Sequence, residues 1–125
     1  MEEKIKMGNS DKRAIEGAEY IAYLAEIKHI VDETERMNKS FADGENRFGD
    51  DHPLRIFRLA EADTMGGFLN EKRTEINFAY SKAIDIAKVN EFELEELIEL
   101  KNRFDRISPL FLEEVYRVQR GFRGE

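Results

Sequence analysis

The chain has 125 residues, a formal net charge of −7, no cysteine, and 38% charged against 41% hydrophobic residues. That length suits one domain spanning 1–125, and so large an apolar share excludes a disordered chain. Disulfides and thiolate metal clusters are ruled out, an acidic balance disfavours general nucleic-acid binding, and no stretch approaches the roughly 20 apolar residues of a membrane span.

Residues 1–9 are polar and carry no apolar run of signal-peptide length, so they read as a tail, and a cytoplasmic setting is expected. Ser10-Asp11 then offers a helix cap. Ile15, Ala18, Ile21, Ala22, Leu24, Ala25, Ile27, Ile30 or Val31, Thr34 and Met37 follow at spacings of three and four. They predict a first helix over 11–38, about 42 Å long at 1.5 Å per residue. Lys12–Glu16, Lys28–Asp32, Asp32–Arg36 and Glu35–Lys39 place opposite charges four apart on its other face.

Residues 40–52 break the period with two glycines and several acids, and predict a long loop. Pro53 suits a first helical position, and Leu54, Phe57, Leu59 or Ala60 and Met65 point inward on a short second helix. Gly66-Gly67 predicts a break, since two helical glycines cost about 2 kcal/mol against alanines. A third helix over 68–88 carries Leu69, Ile76, Tyr80, Ala83, Ile84 and Ala87, although 74–86 also alternates as a strand would. Asn90-Glu91-Phe92-Glu93 resembles a capping box opening a fourth helix to Ile107, with Leu94, Leu97, Ile98 and Phe104 inward. Ser108-Pro109 repeats a cap-then-proline start. A fifth helix over 109–120, with Leu110, Phe111, Leu112, Val115, Tyr116 and Val118 inward, ends at Gly121, and 121–125 form a second tail. The expected fold is all-α, a four- to five-helix bundle with a long N-terminal helix.

Catalytic furniture is sparse. Glu26-x-x-His29 has no second copy, and His52 lies in the loop, so no metal site is expected. A calcium loop counted from Asp43 would place Leu54 where a glutamate is needed. No serine lies in a nucleophile elbow, and no glycine loop cradles phosphate, so neither catalytic residues nor a cofactor are assigned. Glu93-x-x-Glu96 and Glu96-x-x-Glu99 resemble half of a metal-dependent nucleotide hydrolase, without a partner motif. That hydrolase is one alternative. A nucleic-acid role for Arg117, Arg120 and Arg123, extended by Arg47, Arg55 and Arg58, is another.

The more informative feature is aromatic excess, with nine Phe and four Tyr. Tyr20, Tyr23, Phe41, Phe48, Phe92 and Phe122 fall where a simple stripe does not need them. Beside arginine, exposed aromatics make contact patches; the competing role is to close the ends of a small core. The expected function is therefore non-enzymatic protein binding, as an adaptor, assembly subunit or inhibitor of the immunity, viral or mobile-element kind. The partner surface is placed on Tyr20, Tyr23, Phe41, Phe48, Glu95, Glu99, Arg117, Arg120 and Phe122. A basic protein partner and self-association through the long helix are expected.

Overall fold

The fold is described from a computed structural model over residues 9–47 and 55–123, with side chains over 11–43 and 57–121. Three α-helices pack together: α1 (Asn9–Arg47), α2 (Arg55–Asn90) and α3 (Glu95–Arg123). The chain is all-α over these residues, with no strand among them. Among the described residues there are three helices, where the breaks read from the sequence predict four or five. The expected tail 1–9 lies largely outside the described residues, as do 124–125 and residues 48–52 of the expected loop. Residues 121–123 of the other expected tail are helical, so Gly121 does not end α3.

The break expected at Asn90 is present, whereas those expected at 40–47, at Gly66-Gly67 and at Ser108-Pro109 fail because burial on the far side exceeds the local cost. Residues 40–47 belong to α1, not to a loop. Phe41 is 1% exposed there, and burying a Phe side chain is worth roughly 1.5–3 kcal/mol, more than the roughly 1 kcal/mol cost of Gly44. Gly66-Gly67 lies inside α2. Ala62, Met65 and Leu69 are buried on one face across that pair, so the helix keeps its phase. A Cβ at Gly66 would meet Val115 Cγ1 at 3.8 Å, an ordinary contact, so close approach does not demand the glycine. Pro109 lies within α3, exposed to solvent, while Phe104, Ser108, Phe111 and Val115 continue the buried stripe past it. Residues 74–86 are helical: Ile76, Ala79, Ala83 and Ala87 are buried at spacings of three and four, and Phe78 of the apparent strand pattern faces solvent.

Asn90 ends α2 instead of capping the next helix. Its Nδ2 donates to the Ile86 carbonyl (2.9 Å) and to Glu16 Oε2 on α1 (3.2 Å). Glu91 then takes φ 58°, and the Phe92 amide donates to the Ala87 carbonyl at 2.9 Å. This is a Schellman close with a glutamate at the left-handed position usually held by glycine. Residues 91–94 form a four-residue turn, and α3 begins at Glu95, its Leu94 carbonyl accepting from the Ile98 amide at 2.9 Å.

The core divides into two clusters, each drawn from all three helices. One joins Tyr20, Ile27, Ile30 and Val31 to Ile76, Ala79, Ala83 and Ala87, and to Leu97, Leu100 and Phe104. The other joins Phe41 to Ala62, Met65 and Leu69, and to Phe111, Val115 and Val118. Between them along the chain lie buried Thr34 and Ser108. Thr34 Oγ1 donates to the Ile30 carbonyl at 2.7 Å. Ion pairs bind the helices at this waist: Lys72 to Glu33 (3.6 Å), and Arg103 to Glu35 (2.6 Å) and Asp32 (3.3 Å). The hydrogen bonds that Lys72 donates to Glu75 and Arg103 donates to Glu35 are the chief causes that raise both cations' pKa values, against the opposing effect of burial.

Phe57, Ile98, Leu110 and Tyr116, expected inward, are exposed, because a three-helix core needs only a narrow stripe per helix. Among the described residues no helix is long and apolar enough to cross a membrane.

Candidate functional site

At the end of the bundle that holds the α2–α3 turn, α1 and the start of α3 border a groove of about 480 Å³. Its floor is apolar: Tyr20, Ile21 and Leu24 from α1, with Phe92 from the turn and Gly17 beneath. Ile21 is 66% exposed although it is a large aliphatic residue. The rim is acidic, formed by Glu93, Glu95, Glu96 and Glu99. Glu95 and Glu96 occupy the first turn of α3, where the helix dipole favours anions. Glu99 lies one turn further on the same side, beyond the reach of that effect. Among the described residues Glu95, Glu96 and Glu99 have no cation within ion-pair distance.

Tyr20 organises this end. Its hydroxyl donates to the Glu93 carbonyl at 2.8 Å, which ties α1 to the turn. Its ring lies 5.4 Å from that of Phe92, and Arg13 sits 5.4 Å above Phe92. Burial, with the Glu96 carboxylate adding to it, raises the Tyr20 hydroxyl above its ordinary value of about 10. The phenol therefore stays protonated and keeps donating across the neutral range. A Cβ at Gly17 would touch only Phe92 Cζ, at 3.7 Å, so a larger residue there would begin to fill the groove.

Tyr20, Glu95 and Glu99 of the expected partner surface thus come together. Tyr23 is half-buried against the neighbouring core cluster and does not line the groove. Phe41 cannot anchor a partner: it is buried at the other end, 5.8 Å from the Phe111 ring, with the Arg58 guanidinium 3.8 Å above it. Phe48 and the Phe122 side chain lie outside the described residues. Arg117 pairs with Glu114 on its own helix, and Arg120 is exposed there, far along the chain from the acidic rim. Arg58 is 3% exposed and donates to Glu61 at 2.6 Å, so it cannot extend a surface arginine patch.

The sequence reading misses Gly17, Ile21, Leu24, Glu93 and Glu96 as site residues. Ile21 and Leu24 sit in a regular apolar stripe, which hides that only part of that stripe is covered. The one legible signal is the Glu95, Glu96, Glu99 spacing, which puts three carboxylates along one side of a helix. His29 is exposed and lies 3.3 Å from Glu33, not Glu26. Among the described residues no group of three or more His, Asp or Glu side chains is placed to hold a metal ion. No family model, no curated protein and no solved structure matches this chain.

Proposed function

We propose that the chain is a non-enzymatic binding protein, an adaptor, assembly subunit or inhibitor, that receives a basic segment of another protein in the groove between α1 and α3. One observation carries this reading: an apolar floor with an exposed isoleucine, bordered by four glutamates. Such a site gains affinity from burying apolar surface and selects its partner by charge. Carboxylates at its edge also steer a cationic partner towards it during encounter.

A photo-crosslinking residue placed at position 21 in the native cell tests this directly, with the same residue at position 78, on the outer face of α2, as control. The expected result is one defined protein adduct from position 21 that disappears when Glu95 and Glu99 are changed to Lys. No adduct, or the same adducts from both positions, sinks the proposal. The competing hydrolase reading predicts that Mg²⁺ or Mn²⁺ raises the melting temperature, because an ion that binds only the folded state stabilises it. An unchanged melt is expected here.

A further inference from the structure

We infer that the segment received by the groove is an amphipathic α-helix, laid along α1 and the first turns of α3 as a fourth helix, with Lys or Arg flanking its apolar stripe. This rests on the reading of the groove as a partner site.

The chemistry of the lining decides between a helical and an extended occupant. An extended peptide brings backbone N–H and C=O groups that need partners once they leave water. Extended ligands normally find them at an exposed sheet edge, and the described residues contain no strand. The side chains of this groove offer acceptors at the glutamates and a single donor, the Tyr20 hydroxyl, which already serves the Glu93 carbonyl. Peptide carbonyls laid over Ile21, Leu24 and Phe92 would be stranded. A helix brings its backbone already satisfied and presents only side chains, so it alone uses this floor without penalty.

The dimensions agree. From Gly17 to Leu24 the floor runs two turns of α1, about 10.5 Å at 1.5 Å per residue. A partner helix with apolar residues at three- and four-residue spacing covers that length with two or three side chains. Glu95 and Glu99 recur after one turn, about 6 Å along the axis, which matches cations four residues apart on the facing helix. The bundle lends the rest of the frame: further along α3, Arg103 closes the α1–α3 seam on Glu35 and Asp32, so the open stretch has a defined end.

The probe is a synthetic peptide of about 18 residues, long enough to hold a helix, with a leucine stripe flanked by lysines. It is titrated into the full chain carrying labelled Ile and Leu methyls, alongside the same peptide with two central prolines. The helical peptide should shift the Ile21 and Leu24 methyl signals. Glu95→Gln with Glu99→Gln should weaken it about five- to tenfold, as two exposed ion pairs allow, whereas Glu71→Gln with Glu113→Gln, which removes equal charge elsewhere, should not. Ile21→Ser, a change at an exposed position that leaves the fold intact, should weaken it as well. If the proline peptide binds equally well, the helical occupant is wrong while the protein-binding reading stands. Methyl shifts that grow with protein concentration alone, without peptide, would make the occupant a second copy and overturn the inference. Equal weakening by both charge pairs, or no shift at Ile21, overturns the inference and the binding site together.

Discussion

The two ends of this bundle are built from the same parts and finish differently. Each has an aromatic pair with an arginine over it: Tyr20, Phe92 and Arg13 at one end, Phe41, Phe111 and Arg58 at the other. At the Phe41 end the rings come from α1 and α3 themselves, and the arginine is sealed inside with them. Gln119 on α3 also donates to Asp63 on α2 there, at 2.8 Å. At the Tyr20 end one ring belongs to the turn, the arginine is exposed, and the space beside the rings stays open as the groove. Aromatic residues therefore close one end and floor a surface at the other. Their excess in the sequence has two separate causes.

The largest expected effect breaks the closed end. Phe111→Ala should cost about 3–5 kcal/mol in denaturant unfolding, the usual range for emptying a full aromatic site. Phe92→Ala, half-buried at the open end, should cost visibly less in the same experiment; equal losses would abolish the contrast. Next comes the tie across the open end. Tyr20→Phe should lose about 1 kcal/mol with its hydrogen bond to Glu93. Because the folded pKa of Tyr20 is raised, the proton is held more tightly in the native state than in the unfolded chain. The stability that follows is complete below about pH 10 and is lost as the pH climbs through the raised value. Lys72, also raised, adds to the alkaline fall. Urea midpoints followed into that range should drop less steeply in the Tyr20→Phe protein.

Backbone changes are expected to be smaller and opposite in sign. Glu91→Gly relieves a left-handed glutamate, and Gly67→Ala fills open space on a helix surface. Each should raise stability by about 0.5–1 kcal/mol. The smallest effect belongs to the groove floor: Ile21→Ser should leave the melt within about 0.5 kcal/mol, as surface changes usually do, while impairing binding. A severe loss at Ile21 would show that it is core after all.

Periodicity made the all-helical class readable, along with much of the buried stripe from Ile27 to Val118, but it left the buried Tyr20 outside that stripe. It misjudged helix number because glycine, proline and capping residues report local preference, whereas continuity here depends on what Phe41, Leu69 and Phe111 bury far from them in sequence. The site was legible on one side only. Glu95 and Glu99 announce themselves by spacing, but nothing local says that Ile21 lacks a neighbour, since that depends on where α3 starts. Phe41 misled for the same reason: placed in an apparent loop, it looked exposed, and tertiary packing put it in the core.

Pro109 leaves a lasting mark on α3. A proline carries no amide hydrogen, so the Asp105 carbonyl cannot receive its usual helical bond, and the ladder is interrupted beside Ser108. The interruption falls at the waist between the two clusters, where the interior is least apolar. Measured by amide exchange, this one rod should behave as two lengths with separate protection, each following the cluster it covers. Filling the groove should then slow exchange in the first length more than in the second.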